Sequence, residues 1–229
     1  MNSVNAFINW LMPNFEPLKG EFFECFTDTL VMIAVSGTIA WFLGVALGVA
    51  LVTSRKGGIM PHPMLFTACD RSIDVIRSIP FIILMVLLIP LSRFLVGTGS
   101  GLAGSFVALV FGTVPFFARQ IEQVLSDVDP GLVEAAQAMG FSPFEIVFSV
   151  YLRESIPGIT RVTMITFVSF VGITAIAGAI GAGGLGDFAI RYGYQMGYRD
   201  MIWLTVAVIL VMISLFQFIG GIIVRKTTH

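Results

Sequence analysis

Five stretches of nearly uninterrupted apolar sequence, at about residues 29–52, 79–95, 102–118, 162–180 and 201–224, decide what this chain can become. Each comes close to or exceeds the roughly 20 apolar residues that a helix needs to cross the hydrocarbon of a bilayer. Of the 229 residues, 56% are hydrophobic and only 12% charged, and the mean hydropathy of +0.93 lies far from the balance of a soluble domain. The chain is therefore predicted to be an all-α polytopic membrane protein with five transmembrane helices and no large soluble domain. The second stretch is expected to be a kinked helix, because Pro80 and Pro90 bracket its apolar run and each removes a backbone donor.

Five crossings place the termini on opposite sides, and the basic residues choose between the two orientations. With the carboxyl terminus inside, nine lie in cytoplasmic segments: Arg55, Lys56, Arg71, Arg77, Arg119, Arg153, Arg161, Arg225 and Lys226. Four lie outside, namely Lys19, Arg93, Arg191 and Arg199. The expected organisation is an extracytoplasmic segment 1–28, a transmembrane domain 29–224 and a short cytoplasmic tail 225–229. Cys25 and Cys69 then fall on opposite faces and cannot pair within one chain. The amino terminus has no basic residues ahead of its apolar ones and does not read as a cleavable signal, so the first span is expected to target the chain.

Several chemistries are disfavoured. A formal net charge of -1 leaves no basic face for nucleic acid. The two cysteines and two histidines, His62 and His229, are too scattered for a metal centre, and no cofactor or catalytic residue is expected. The run from Gly181 to Gly186 fits G-x-G-x-x-G, but it follows a membrane span and not the strand of a βαβ unit, so an irregular connection is the better reading. Gly44 and Gly48 are expected to serve helix packing. Apart from Arg93 near an outer end, the span cores lack ionisable residues, which disfavours a proton-coupled carrier. No P-loop is present either, so energy must come from outside the chain.

The connection from about 119 to 161 is long enough to demand a purpose. Asp129 is placed to cap a helix that starts with Pro130. Leu132, Ala135, Ala136 and Met139 then recur on one face, and Gly140 suits the left-handed turn that ends a helix. Ser142-Pro143-Phe144-Glu145 reads as a capping box opening a second helix to about Arg153. The small alanines fit two arrangements: docking into a groove of another protein, or packing on the chain's own inner surface.

Glu134-Ala135-Ala136 with Gly140 resembles the EAA signature of the permease subunits of bacterial ABC importers. The segments from Ile76 to Pro90, Val133 to Val147 and Ala175 to Gln195 resemble the permeases of methionine importers in particular, and the similarity covers about residues 30–224. Leu152-Arg153 stands where that family usually has Leu-Pro. The resemblance implies a type I importer permease in the bacterial inner membrane that moves methionine by alternating access. Its implied partners are a second copy of itself, an ABC ATPase and an extracytoplasmic substrate-binding lipoprotein. It also implies that Glu134, Ala135, Ala136, Met139, Gly140 and Phe141 couple to the ATPase. Alternatives are an importer of another amino acid or small peptide and, in a different class, a passive channel or scaffold.

Overall fold

The computed structural model describes residues 12–227, and these form helices and connections without strands. Residues 1–11 of the expected amino-terminal segment, and His229, lie outside the described residues. Ten helices follow in order: α1 (Phe15–Ser54), α2 (Pro63–Arg77), α3 (Phe81–Leu87), α4 (Ile89–Val96), α5 (Gly101–Ser126), α6 (Pro130–Ala138), α7 (143–154), α8 (Ile156–Ala182), α9 (184–195) and α10 (Arg199–Thr227). Four of them, α1, α5, α8 and α10, are long and apolar enough to cross a membrane.

Two boundaries differ from the sequence reading for physical reasons. Helix α1 begins fourteen residues before residue 29, because Phe22, Cys25, Thr29 and Met32 recur at helical spacing and are buried, while Glu16, Glu21 and Glu24 face outward. The second apolar stretch is two short helices that break at Leu88 (φ -87°, ψ 0°), so the bend lies just ahead of Pro90. Pro80 precedes α3 and Pro90 sits in the first turn of α4, positions where a missing N–H leaves nothing unbonded.

The chain divides into two compact units, and each long helix contributes to both. The first comprises residues 12–38, Phe81–Val110 and Val168–Leu215. Here the side-chain amide of Asn14, just before α1, donates to Asp200 in the first turn of α10 at 3.0 Å. Phe22, Phe188, Tyr192 and Met201 share one buried cluster, with the Phe22 and Phe188 rings edge to face at 5.3 Å. A second cluster gathers Met32, Leu109, Phe170, Ala177 and Ala182. The Gly181–Gly186 run forms a tight reversal. Gly181, Gly183 and Gly184 have φ of +99°, +84° and +79°, where a side chain would be strained. A Cβ on Gly186 would collide with the Ala175 carbonyl. The reversal is anchored by the Leu185 amide, which donates to the buried Thr29 hydroxyl at 2.8 Å.

The second unit comprises Ile39–Pro80, Phe111–Phe167 and residues 216–227. Gly44 and Gly48 of α1 let α5 approach closely, since a Cβ at either position would stand 2.5 Å from Phe117 or Ile121. Trp41 donates from Nε1 to Thr163 at 3.1 Å, and Gln120 from Nε2 to Thr166 at 3.0 Å, so α1 and α5 are each hydrogen-bonded to α8. Helix α2 lies between the first two apolar stretches, where only a cytoplasmic connection is expected from sequence. The His62 ring caps it by accepting from the Leu65 amide at 3.1 Å, and Pro63 occupies its first turn.

Candidate functional site

The connection between α5 and α8 is shorter than 119–161 because both helices extend into it, to Ser126 and from Ile156. What remains is the pair α6 and α7, each fixed by its own caps. Asp129 Oδ1 accepts from the Gly131 amide at 2.8 Å at the start of α6. At the end, Gly140 has φ +83° while the Phe141 amide donates to the Ala136 carbonyl and the Gly140 amide to that of Gln137, a Schellman motif. Two residues after Gly140, α7 is opened by a reciprocal box. The Ser142 hydroxyl accepts from the Glu145 amide at 3.4 Å, and the Glu145 carboxylate accepts from the Ser142 amide and hydroxyl, both at 2.7 Å. These bonds to Ser142 hold the Glu145 carboxyl below the usual glutamate range.

Helix α7 continues through a wide π turn, Val147–Tyr151, and carries Arg153 on its exposed side before ending at Glu154. Arg153 lies inside α7, where the proline of a Leu-Pro pair would remove a backbone donor.

The two faces of α6 have different surroundings. Val133 and Ala136 are buried in one cluster with Ile146 and Tyr151 of α7, Phe117, Ile121 and Leu125 of α5, and Val52 of α1. Ala136 is 2% exposed. This corrects its expected place on an outward docking face beside Ala135: a hundred degrees per residue separates them, and the apolar cluster beneath claims Ala136. Ala135 is exposed, as are Glu134, Met139, Gly140 and Phe141. The outward edge of α6 is thus Leu132 and Ala135 with its C-cap Met139, and α7 adds the exposed Phe144 and Phe148. Met139, Phe144 and Phe148 are each about two-thirds exposed (68%, 69% and 67%), outside every long apolar helix.

A second feature of this unit joins residues far apart in sequence. Arg119 of α5 donates to Asp70 and Asp74 of α2 at 2.8 Å and to Glu122 at 2.7 Å. One guanidinium therefore pins α2 to α5 with its fork of donors. The carboxylates stand 49 and 45 residues away in sequence, and only the i to i+3 pairing with Glu122 was locally visible. No group of acidic, histidine or cysteine side chains able to hold a metal occurs among the described residues, and both cysteines are free.

Long apolar helices, interrupted by one capped helical pair that is rooted in the core and presents apolar side chains, define a membrane component. Its family is that of the binding-protein-dependent transport system inner membrane component, which matches residues 42–229, and the chain belongs to it. The chain is 39% identical to the probable D-methionine transport system permease protein MetI of Vibrio cholerae over 227 residues, 99% of each chain. It is 34% identical to the corresponding probable protein of Haemophilus influenzae, over 88% of this chain and 95% of that one. Among solved structures it is similar to the inward-facing MetNI methionine ABC transporter, at a TM-score of 0.89 and 38% identity, over 93% of this chain and 99% of that chain. An amino acid ABC transporter with histidines shares the fold at a TM-score of 0.75 and 20% identity.

Proposed function

We propose that the chain is the permease subunit of an ATP-driven importer that carries methionine into the cytoplasm, with α6 and α7 as the element that docks to a separate ATPase. The exposed apolar edge of α6 and α7, on a base held by Val133 and Ala136, supports this most directly. Glu134, Ala135, Met139, Gly140 and Phe141 belong to the docking element, Ala136 supports it from beneath, and Asp129, Ser142 and Glu145 shape its ends. The substrate follows from similarity to methionine permeases along essentially the whole chain. Two copies would line the path, with an extracytoplasmic lipoprotein delivering the substrate. The subunit alternates between inward-open and outward-open states as the ATPases part and close. The chain itself carries no ATP-hydrolysing function.

In this reading α3 and α4 together make the second of five crossings, which places the amino terminus outside and the tail after residue 224 in the cytoplasm. The nine-to-four distribution of basic residues supports that orientation.

The test is assembly and uptake. Ala135→Asp leaves insertion intact and weakens co-purification with the ATPase, since an unpaired carboxylate buried at an interface costs several kcal/mol. A loss of about 3 kcal/mol would weaken binding more than a hundredfold. Wild-type assembly and methionine uptake by this variant would refute the docking assignment. Uptake of a different amino acid or a peptide in place of methionine would refute the substrate.

A further inference from the structure

Beside the docking edge, within the same unit, lies an open groove of about 490 Å³. Asp127, Asp129 and Glu154 stand on its rim with Arg161, Leu132 contributes its apolar wall, and Ser155 is part of its lining. The side chains of Asp127, Glu154 and Arg161 are exposed and make no hydrogen bond or ion pair among the described residues, and Asp129 spends one oxygen on its cap. Three carboxylates against one guanidinium leave the rim at -2. Ser155 is 4% exposed, and its hydroxyl is buried without a hydrogen-bond partner. A buried hydroxyl left unpaired is costly unless a ligand or water completes it.

We propose that this groove receives a lysine or arginine side chain of the ATPase. The inference rests on the reading of α6 and α7 as the docking element, and Leu132 carries the argument: it belongs both to the groove and to the outward edge of α6, so the same partner surface spans the two. The groove is larger than one long basic side chain. Its apolar wall suits the methylene stem and its rim suits the charged head. The docking surface then has two parts. The apolar edge supplies contact area, and the acidic groove supplies register and faster encounter.

The experiment measures the affinity of the full-length permease in nanodiscs for its ATPase, at low and at high ionic strength. Asp127→Asn with Glu154→Gln removes rim charge from two exposed, unpaired residues, so folding does not depend on either. At low ionic strength it weakens binding about threefold to tenfold, as two partly exposed ion pairs allow, and it flattens the loss of affinity on adding salt. Ala135→Leu weakens binding at every ionic strength and leaves the salt dependence as it was. Unchanged affinity and salt dependence in the double variant, with Ala135→Leu still weakened, overturns the groove and leaves the docking element standing. Unchanged affinity in Ala135→Leu overturns the docking element, and the groove falls with it. A double variant that alters only association between permease copies also overturns the proposal, because the occupant would then be a second copy of this chain.

Discussion

Ala135 and Ala136 are adjacent and chemically identical, yet one is exposed and the other is packed under Val133 and Tyr151. Leucine at 136 is expected to overfill that cluster and cost about 1 to 3 kcal/mol of subunit stability, read as earlier thermal unfolding of the purified permease. Leucine at 135 should leave the melting curve unchanged. Gly140 tests backbone in place of packing: a Cβ there meets no atom within 4 Å, but φ is +83°. Valine at this position should cost about 1 to 2 kcal/mol from conformation alone, while asparagine, which tolerates the left-handed region, should cost less; thermal melts of the two variants decide it. Glu145 adds a pH dependence. Its carboxyl titrates lower in the folded chain than in the unfolded one because Ser142 bonds the charged form. The stabilisation is therefore complete above the unfolded value, about 4.3, and is lost as pH falls through the lower folded value. Hydrogen exchange at the start of α7, corrected for its intrinsic rate, should speed up over that interval. Glu145→Gln keeps the reach of the box without the titration and should abolish the effect.

At the scale of elements, what was legible was whatever is encoded locally. Helices α5, α8 and α10 announce themselves by apolar length, and α6 and α7 by residues three apart, such as Ser142 and Glu145. The attachment of helix α2 was hidden: Asp70 and Asp74 look like loop residues until Arg119 is brought to them. Inward packing of the alanines was one of two readings, and that Ala136 takes it while Ala135 does not depends on Phe117, Ile121 and Val52 arriving beneath it. The early start of α1 was readable in the spacing of Phe22, Cys25, Thr29 and Met32, but the glutamates between them masked it. The close approach of α1 and α5 also yields an expectation. Gly44→Leu drives a branched side chain into the Phe117 ring and should abolish stable insertion or lower the melting temperature sharply, whereas Gly20→Leu, with open space around it, should not. Comparable melts for the two variants would show that α1 and α5 are not held by small-residue contact.

For the whole molecule, orientation and the number of crossings are tested together by single cysteines introduced after Cys25 and Cys69 are replaced by serine. Reporters at Lys56 and Gln137 should react only from the cytoplasm and one at Ser100 only from outside. If Lys56 and Ser100 react from the same side, α3 and α4 do not cross. A last consequence follows from the caps and core that hold α6 and α7 in the isolated chain. A partner that meets a surface already in its bound shape has no segment to fold on arrival. Calorimetry of assembly should then return a heat-capacity change that matches the contact area alone, without the excess that accompanies ordering of a flexible loop. The rate of association should be set by diffusion and orientation, with no slow unimolecular phase.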